Sequence, residues 1–575
     1  MKFSRSAARS ARFERLGIDL LLLGAFGALV SGVVVLAGRW HAPIRTAVEI
    51  DLSPLALPGY TLLSLSRGFA AYLLSLAFTL VYGTVAAHSK RAEKVMIPLL
   101  DIGQGIPVLG FLPGLVLGMV ALFPRTNVGL ELACIVMIFT AQVWNMTFSF
   151  YGSLRSIPAE LHEVARLNRF SWWKRFRTVE VSASVIGLVW NSMMSMAGGW
   201  FFLTVNEAFT LGGRDFRLPG IGSYMSVAIE RGDTRAIFWA IVAMVLMILA
   251  VDQLLWRPLV VWSERFRIEE ITTGRPPTSW VVTLLRKSRL LRRLRRTFRQ
   301  ARRAAAQAAP AAAPPEAAWA AGAAPVALRV LTVAAGGASL AACAWGGWKL
   351  VSLLVQVDAQ KWRMLALALL STAGRTALAL GLAVLWTVPV GVLLGRSPVW
   401  SRRLQPVVQT AASFPAPMLY PLVTGALLLF HVPFGLIAAI LMFLGAQWYV
   451  LFNVLAGASA IPHDLDEASD VYRVTGRGRW TTLYLPSIFP FLVTGLITAA
   501  GGAWNASIVA ETLLYRGKTM ETFGLGTLIT RATHDGDFPL LTAGVLTMSF
   551  ALVLLNRTVW RRLYRLAETR YSLNR

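Results

Sequence analysis

The chain has 575 residues, of which 56% are hydrophobic and only 15% charged, with a mean hydropathy of +0.58. Soluble globular chains carry about 25% charged residues, so this composition excludes a water-soluble enzyme and a disordered chain. Lys and Arg number 56 against 29 Asp and Glu, and the excess of +27 is expected in cytoplasmic loops facing an anionic inner leaflet.

A bilayer-crossing helix needs about 20 residues, because the hydrocarbon core is about 30 Å thick and a helix rises about 1.5 Å per residue. Runs free of Asp, Glu, Lys and Arg mark candidate spans at 20–38, 68–87, 102–124, 132–154, 181–206 and 236–251. A second set lies at 330–348, 376–395, 404–462, 480–510 and 538–556. The 404–462 run is too long for one helix and divides near His431, Pro433 and Gly435, which predicts twelve spans, six per half. Basic residues precede the first span (Lys2, Arg5, Arg9, Arg12, Arg15) and follow every even one, as at Arg166–Arg177 and Arg473–Arg479. The positive-inside rule puts that side, and both termini, in the cytoplasm of a bacterial-type inner membrane. The apolar run at 20–38 is too long for a secretory signal and reads as an uncleaved anchor.

Between the halves, Arg286, Lys287, Arg289, Arg292, Arg293, Arg295, Arg296, Arg299, Arg302 and Arg303 alternate with Leu284, Leu291, Leu294, Phe298 and Ala301 at helical spacing. The pattern predicts a basic amphipathic helix lying on membrane lipid; with spans on both sides, nucleic acid is not its partner. An Ala/Pro-rich stretch from Ala304 to Pro325 follows. The expected domains are a first repeat at 1–263, a linker at 264–326 and a second repeat at 327–575.

The halves are copies. Ile157, Pro158, Leu161 and Glu163 match Ile461, Pro462, Leu465 and Glu467 at an offset of 304 residues. The same offset pairs Trp144 with Trp448, Trp200 with Trp504, Glu207 with Glu511, Gly220 and Gly222 with Gly524 and Gly526, and Trp256 with Trp560. So many matches at one offset mean duplication. An even number of helices per copy makes the repeat parallel, with an axis along the membrane normal and a central path between copies. The fold class is therefore all-α: a polytopic membrane protein of about twelve transmembrane helices in two parallel six-helix repeats.

The most informative segments are the cytoplasmic loops that carry Glu163-Val164-Ala165 and Glu467-Ala468-Ser469, the second followed by Leu485-Pro486. They resemble the EAA loop of permease subunits of ATP-binding-cassette importers. Together with Trp200/Glu207, Trp504/Glu511 and the Gly-x-Gly pairs, they are similar to the nitrate/sulfonate/taurine type, with two permease domains fused in one chain. The resemblance implies a short coupling helix in each loop that docks on an ATPase, with Glu163, Ala165, Arg169, Glu467, Ala468 and Arg473 as coupling residues. It implies two ATPase subunits, carrying ATP and Mg, and a periplasmic or lipoprotein substrate-binding protein. It implies an inorganic or organic anion as substrate, with iron or thiamine as the alternative solute class. An ion-coupled secondary transporter is the rival mechanism. The family's glycine six residues after the Glu is replaced by Arg169 and Arg473; Arg is the better helix former, so loop helicity is expected to survive.

The remaining motifs carry no catalysis. Gly517-Lys518-Thr519 lacks the earlier glycine of a phosphate loop, since Thr512 stands there. Gly220-x-Gly222 and Gly524-x-Gly526 read as close backbone packing, where a Cβ would clash. The six His have no metal-ligand spacing, and no cofactor is expected on this chain. Polar and Trp residues at membrane depth are candidate pathway-lining groups: Gln104, Gln142, Trp144, Asn191, Trp200, Glu207, Ser413, Gln447, Trp448, Trp504, Asn505 and Glu511. No Lys or Arg is expected mid-span, and Glu207 and Glu511 are expected to gate or to pair with Arg.

Overall fold

The computed structural model describes residues 49–105, 107–211, 214–266, 278–288 and 344–571, with isolated positions between 293 and 341. The chain divides into two compact units. One holds the described residues of 149–191 and 250–352; the other holds those of 49–148, 192–249 and 353–571.

Helices of the first repeat are α1 (Leu57–His88), α2 (Lys90–Gly105), α3 (Val108–Leu122), α4 (Val128–Arg155), α5 (Ala159–Leu167), α6 (Val181–Asn206), α7 (Ile221–Glu230) and α8 (Thr234–Val251). Those of the second are α9 (Ala359–Arg396), α10 (Pro398–Ser413), α11 (Tyr420–Leu429), α12 (Phe434–Ser459), α13 (His463–Val471), α14 (Leu485–Ala510), α15 (Leu525–Asp535), α16 (Phe538–Leu555) and α17 (Arg561–Arg570). Two small antiparallel hairpins, β1–β2 (Thr210–Leu211, Arg214–Asp215) and β3–β4 (Thr512–Tyr515, Lys518–Glu521), occupy equivalent places. Arg516 and Gly517 turn the second hairpin with φ of +49° and +72°, so the Gly517-Lys518-Thr519 stretch is a hairpin tip and no phosphate loop.

Among the described residues eight helices are long and apolar enough to cross a membrane, and a ninth span is a pair bent by 87° between Ser413 and Ala416. The run at 20–38 and most of 330–348 lie outside the described residues, as does most of the expected linker helix at 286–303. Among the described residues, two of the expected spans are not continuous helices. The 102–124 run breaks before Pro107, leaving α3 only 15 residues long, and the 404–430 run breaks at Pro415. Proline removes a backbone donor and forces the preceding residue out of the helical region, so both breaks fall where the ring stands. The predicted division of 404–462 near Pro433 falls between α11 and α12. Single widened turns at Phe176–Glu180 and Trp480–Tyr484, and at Asp252–Trp256 and Asn556–Trp560, recur 304 residues apart. Pro486 stands just after the widened turn Trp480–Tyr484, inside the continuous helical stretch Gly476–Ala510 rather than at a free helix start.

In the larger unit, α12 packs along both α9 and α14. Small residues bring the helices close, with Ala379, Ala383, Ala438, Ala446, Ala458, Ala499 and Ala503 fully buried beside Ile437, Leu441, Met442 and Val450. Gly391 meets Val454, and Gly395 meets Ala458. Lipid tails are as apolar as Leu, so helices in a bilayer hold together through such close approach rather than through water exclusion. The repeats exchange contacts: β3 packs on α7 of the first copy, and β1 packs on α15 of the second. In the smaller unit, Gly187 of α6 lies against Ser149 and Ser153, Asn191 Nδ2 donates to Ser149 Oγ at 2.9 Å, and Trp280 Nε1 donates to Gln253 Oε1 at 3.3 Å.

Candidate functional site

Each long helix that follows a glutamate-bearing loop, α6 and α14, ends at a buried acid. Glu207 is completely buried one residue beyond α6. Its carboxylate accepts from Ser64 Oγ (2.7 Å), Arg67 Nη1 (2.6 Å) and the Gly222 N–H (2.8 Å). Glu511, equally buried beyond α14, accepts from Thr372 Oγ1 (2.8 Å), Arg375 Nη1 (2.7 Å) and the Gly526 N–H (2.8 Å). The cradle extends further in the same way. Ser64 Oγ accepts the Ile221 N–H and Thr372 Oγ1 accepts the Leu525 N–H, while Ser223 and Thr527 donate to the backbone oxygens of Glu207 and Glu511. The expected roles of the glycines follow: a Cβ at Gly220 or Gly524 would collide with the carboxylate, and one at Gly222 would lie 2.6 Å from Thr204 O.

The arginines correct one expectation. Arg67 and Arg375 lie within the membrane helices α1 and α9, only 1% and 14% exposed. The charge-free runs begin at 68 and 376 because these side chains cut them short. Arg67 and Arg375 are 308 residues apart, as are Ser64 and Thr372, so four residues inserted later in the repeat hid them from the 304 offset. The copies also differ. Arg67 holds a second carboxylate, Glu131, through Nε (2.6 Å) and Nη2 (2.7 Å). Arg375 instead donates to Thr522 Oγ1 (2.9 Å) and Phe523 O (2.8 Å), and Gly435 stands where Glu131 would be. Outside the membrane segments, partial burial pushes the Asp537 carboxyl up, but the Leu540 N–H and the Lys361 ammonium outweigh it and hold it below its ordinary value.

The loops are built alike from Pro158-capped α5 and Pro462-capped α13. Arg169 and Arg473 do not extend these helices. Each is the first residue past the C-cap, in the left-handed region at φ of +47° and +53°. The N–H groups of Arg169 and Phe170 bond to Arg166 O and Ala165 O, and those of Arg473 and Val474 bond to Asp470 O and Ser469 O. This is the helix-ending turn that favours glycine, because an L side chain crowds the backbone there. Glu163 and Glu467 are the fifth residues of nine-residue helices. Both are exposed, as are Ala468, Arg169 and Arg473, whereas Ala165 is buried. Leu167 (83% exposed), Val471 (79%) and Tyr472 (80%) leave an uncovered apolar surface at the ends of these helices. The second loop is anchored by Asp466, which pairs with Arg396 and with Arg479 Nη2 (3.0 Å), while Arg479 Nη1 reaches Asp470 (2.7 Å). His162 occupies the position of Asp466 in the first loop.

The other candidate residues separate by burial. Gln142 is enclosed and donates to Met196 Sδ, Trp200 packs on Gly68, Gln447 bonds Leu444 O, and Trp504 is 3% exposed. Half-buried are Gln104, Trp144 (against Gly103), Asn191, Ser413 (donating to Gln409 O), Trp448 (edge-on to Trp386) and Asn505. Asn505 of the second repeat accepts the Val108 N–H of the first at 2.9 Å, capping α3 just after its break.

Two copies of one helical unit, joined through hairpin exchange and closed by a duplicated acid cradle, define a polytopic membrane protein with a paired-domain architecture. Sequence comparison supplies its family. Residues 79–255 and 387–572 each match the Binding-protein-dependent transport system inner membrane component family, and the chain belongs to that family. It is similar to the bicarbonate transport system permease protein CmpB of Synechocystis sp. (30% identity, covering 25% of this chain and 50% of that protein). It is also similar to the nitrate import permease protein NrtB of Synechococcus elongatus (28% identity, 30% and 58%) and the taurine transport system permease protein TauC of Escherichia coli (28% identity, 36% and 71%). The chain thus spans about half the length of the first two of these relatives.

Proposed function

We propose that this chain forms the complete membrane pathway of an ATP-driven importer for a small inorganic or organic anion. The observation that carries the reading is the pair of loop helices α5 and α13. Each ends in the same left-handed turn and presents an exposed glutamate beside exposed apolar residues. An exposed apolar surface rimmed by charge is the mark of a protein-binding face. Two ATPase subunits, carrying ATP and Mg, would dock there, and their closure on ATP would switch the pathway between outward and inward access. A periplasmic or lipoprotein binding protein would deliver the solute on the opposite side, with both termini of this chain cytoplasmic. The anion class is supported by the bicarbonate, nitrate and taurine named for the relatives.

Glu163→Ala and Glu467→Ala test the coupling role, assayed for membrane expression, ATPase co-purification and uptake of nitrate, bicarbonate and taurine. Uptake should collapse while expression persists, more severely for Glu467→Ala because its loop is fixed by Asp466 and Arg479. Wild-type uptake and wild-type ATPase retention in the double variant would refute the assignment.

A further inference from the structure

One aromatic side chain, Tyr449, lies against an equivalent glycine of each repeat. Gly198 of α6 and Gly502 of α14 are equivalent residues, 304 apart. A Cβ at Gly198 would lie 3.7 Å from Tyr449 Oη, and one at Gly502 would lie 3.1 Å from Tyr449 Cε2. A ring that touches both members of an equivalent pair stands where the copies face each other. A side chain away from the relating axis would reach one of them only.

Tyr449 also stands at mid-depth. It is the sixteenth residue of the 26-residue α12. At about 1.5 Å per residue it lies about 15 Å from the loop end of that helix and about 22 Å from the other. The ring is half-buried; a Cβ at Gly502 would press on it, and one at Gly198 would reach ordinary contact with its hydroxyl. The equivalent residue of the first repeat is Asn145, so only one copy supplies a ring. One helical turn beyond Gly502, Asn505 caps the N-terminus of α3. Asn505 is itself engaged, accepting the Val108 N–H and donating to Gly501 O, so the phenol O–H of Tyr449 is the donor the proposal uses. An O–H is a donor suited to an anion, and the ring is bulk suited to closing a path.

We propose that Tyr449 is the plug of the solute pathway at mid-membrane. Its ring seals the seam between the repeats, and its phenol O–H is a polar contact for the passing anion. This rests on the reading of the seam as the pathway. The test uses the purified full chain in liposomes loaded with an anion-sensitive dye, with a nitrate gradient as the probe and no ATPase or binding protein present. Wild type and Tyr449→Phe should be tight, and Tyr449→Ala should leak faster by an order of magnitude. In a background carrying Cys134→Ser and Cys343→Ser, Tyr449→Cys should react with an anionic, membrane-impermeant methanethiosulfonate added to one face. A tight Tyr449→Ala, a Tyr449→Phe as leaky as Tyr449→Ala, or an unreactive thiol in monodisperse Tyr449→Cys would each overturn the proposal. Should Tyr449→Ala fail to fold, the thiol reaction decides. Loss of ATPase binding in the coupling variants bears on the importer reading alone, since neither readout here depends on it.

Discussion

Replacing Arg67 with Met should damage the protein more than replacing Arg375 with Met, although the two occupy equivalent places. Arg67 is 1% exposed and holds Glu131 and Glu207 with three charge-assisted bonds of 2.6–2.7 Å. Its loss strips both charge-assisted bonds from Glu131 and leaves Glu207 with only Ser64 Oγ and the Gly222 N–H. Arg375 is 14% exposed and holds one carboxylate, which keeps its bonds from Thr372 and the Gly526 N–H. Removing one partner of a buried pair costs about 3–5 kcal/mol, chiefly because a charge is left without compensation. Arg67→Met should fall at or above the top of that range and Arg375→Met near its bottom, a gap of about 2 kcal/mol. Titration with a denaturing detergent, followed by tryptophan fluorescence, measures both. Adding Glu131→Gln to Arg67→Met should recover part of the loss, because one stranded charge is gone. Equal stability of the two single variants, or no recovery in the double variant, would refute the reasoning.

Other expectations come from single positions. Arg473→Gly and Arg169→Gly should each stabilise the chain by about 1 kcal/mol in thermal melts, because both positions demand left-handed backbone; Arg473→Val should destabilise it. Gly220→Ala and Gly524→Ala should abolish accumulation in the membrane, measured by gel filtration of solubilised protein, since the added Cβ strikes the Glu207 or Glu511 carboxylate. Asp537 is held below its ordinary value, so its contribution is present above that value and is lost as pH falls through the lowered one. Asp537→Asn should therefore flatten the stability loss between about pH 5 and about pH 3, read from melting temperatures.

The duplication, the helical class and the loops were legible because they repeat at one spacing, and Glu207 and Glu511 emerged from the same register. Their arginine partners did not, for a physical reason. A search for charge-free runs treats a charge as the end of a span, whereas Arg67 is neutralised inside one by Glu131 and Glu207. The signal was present in Ser64/Arg67 and Thr372/Arg375, offset by four residues from the rest. The helix breaks at Pro107 and Pro415 were marked by their prolines but masked by continuous hydrophobicity on both sides. Both loops are helical as expected, but the helix propensity of Arg169 and Arg473 is not the reason, since both lie beyond the C-caps. The backbone there has already turned left-handed, and the turn, not the residue type, ends the helix. Tyr449 could not be singled out from sequence, since its significance lies in touching two glycines 304 residues apart.

The central claim is that one chain supplies both halves of the pathway. The most direct measurement is the intact mass of the detergent-purified assembly, co-expressed with the ATPase proposed as its partner. The account predicts one copy of this chain with two ATPase subunits and no second permease. Two copies of this chain sharing one pathway would contradict it.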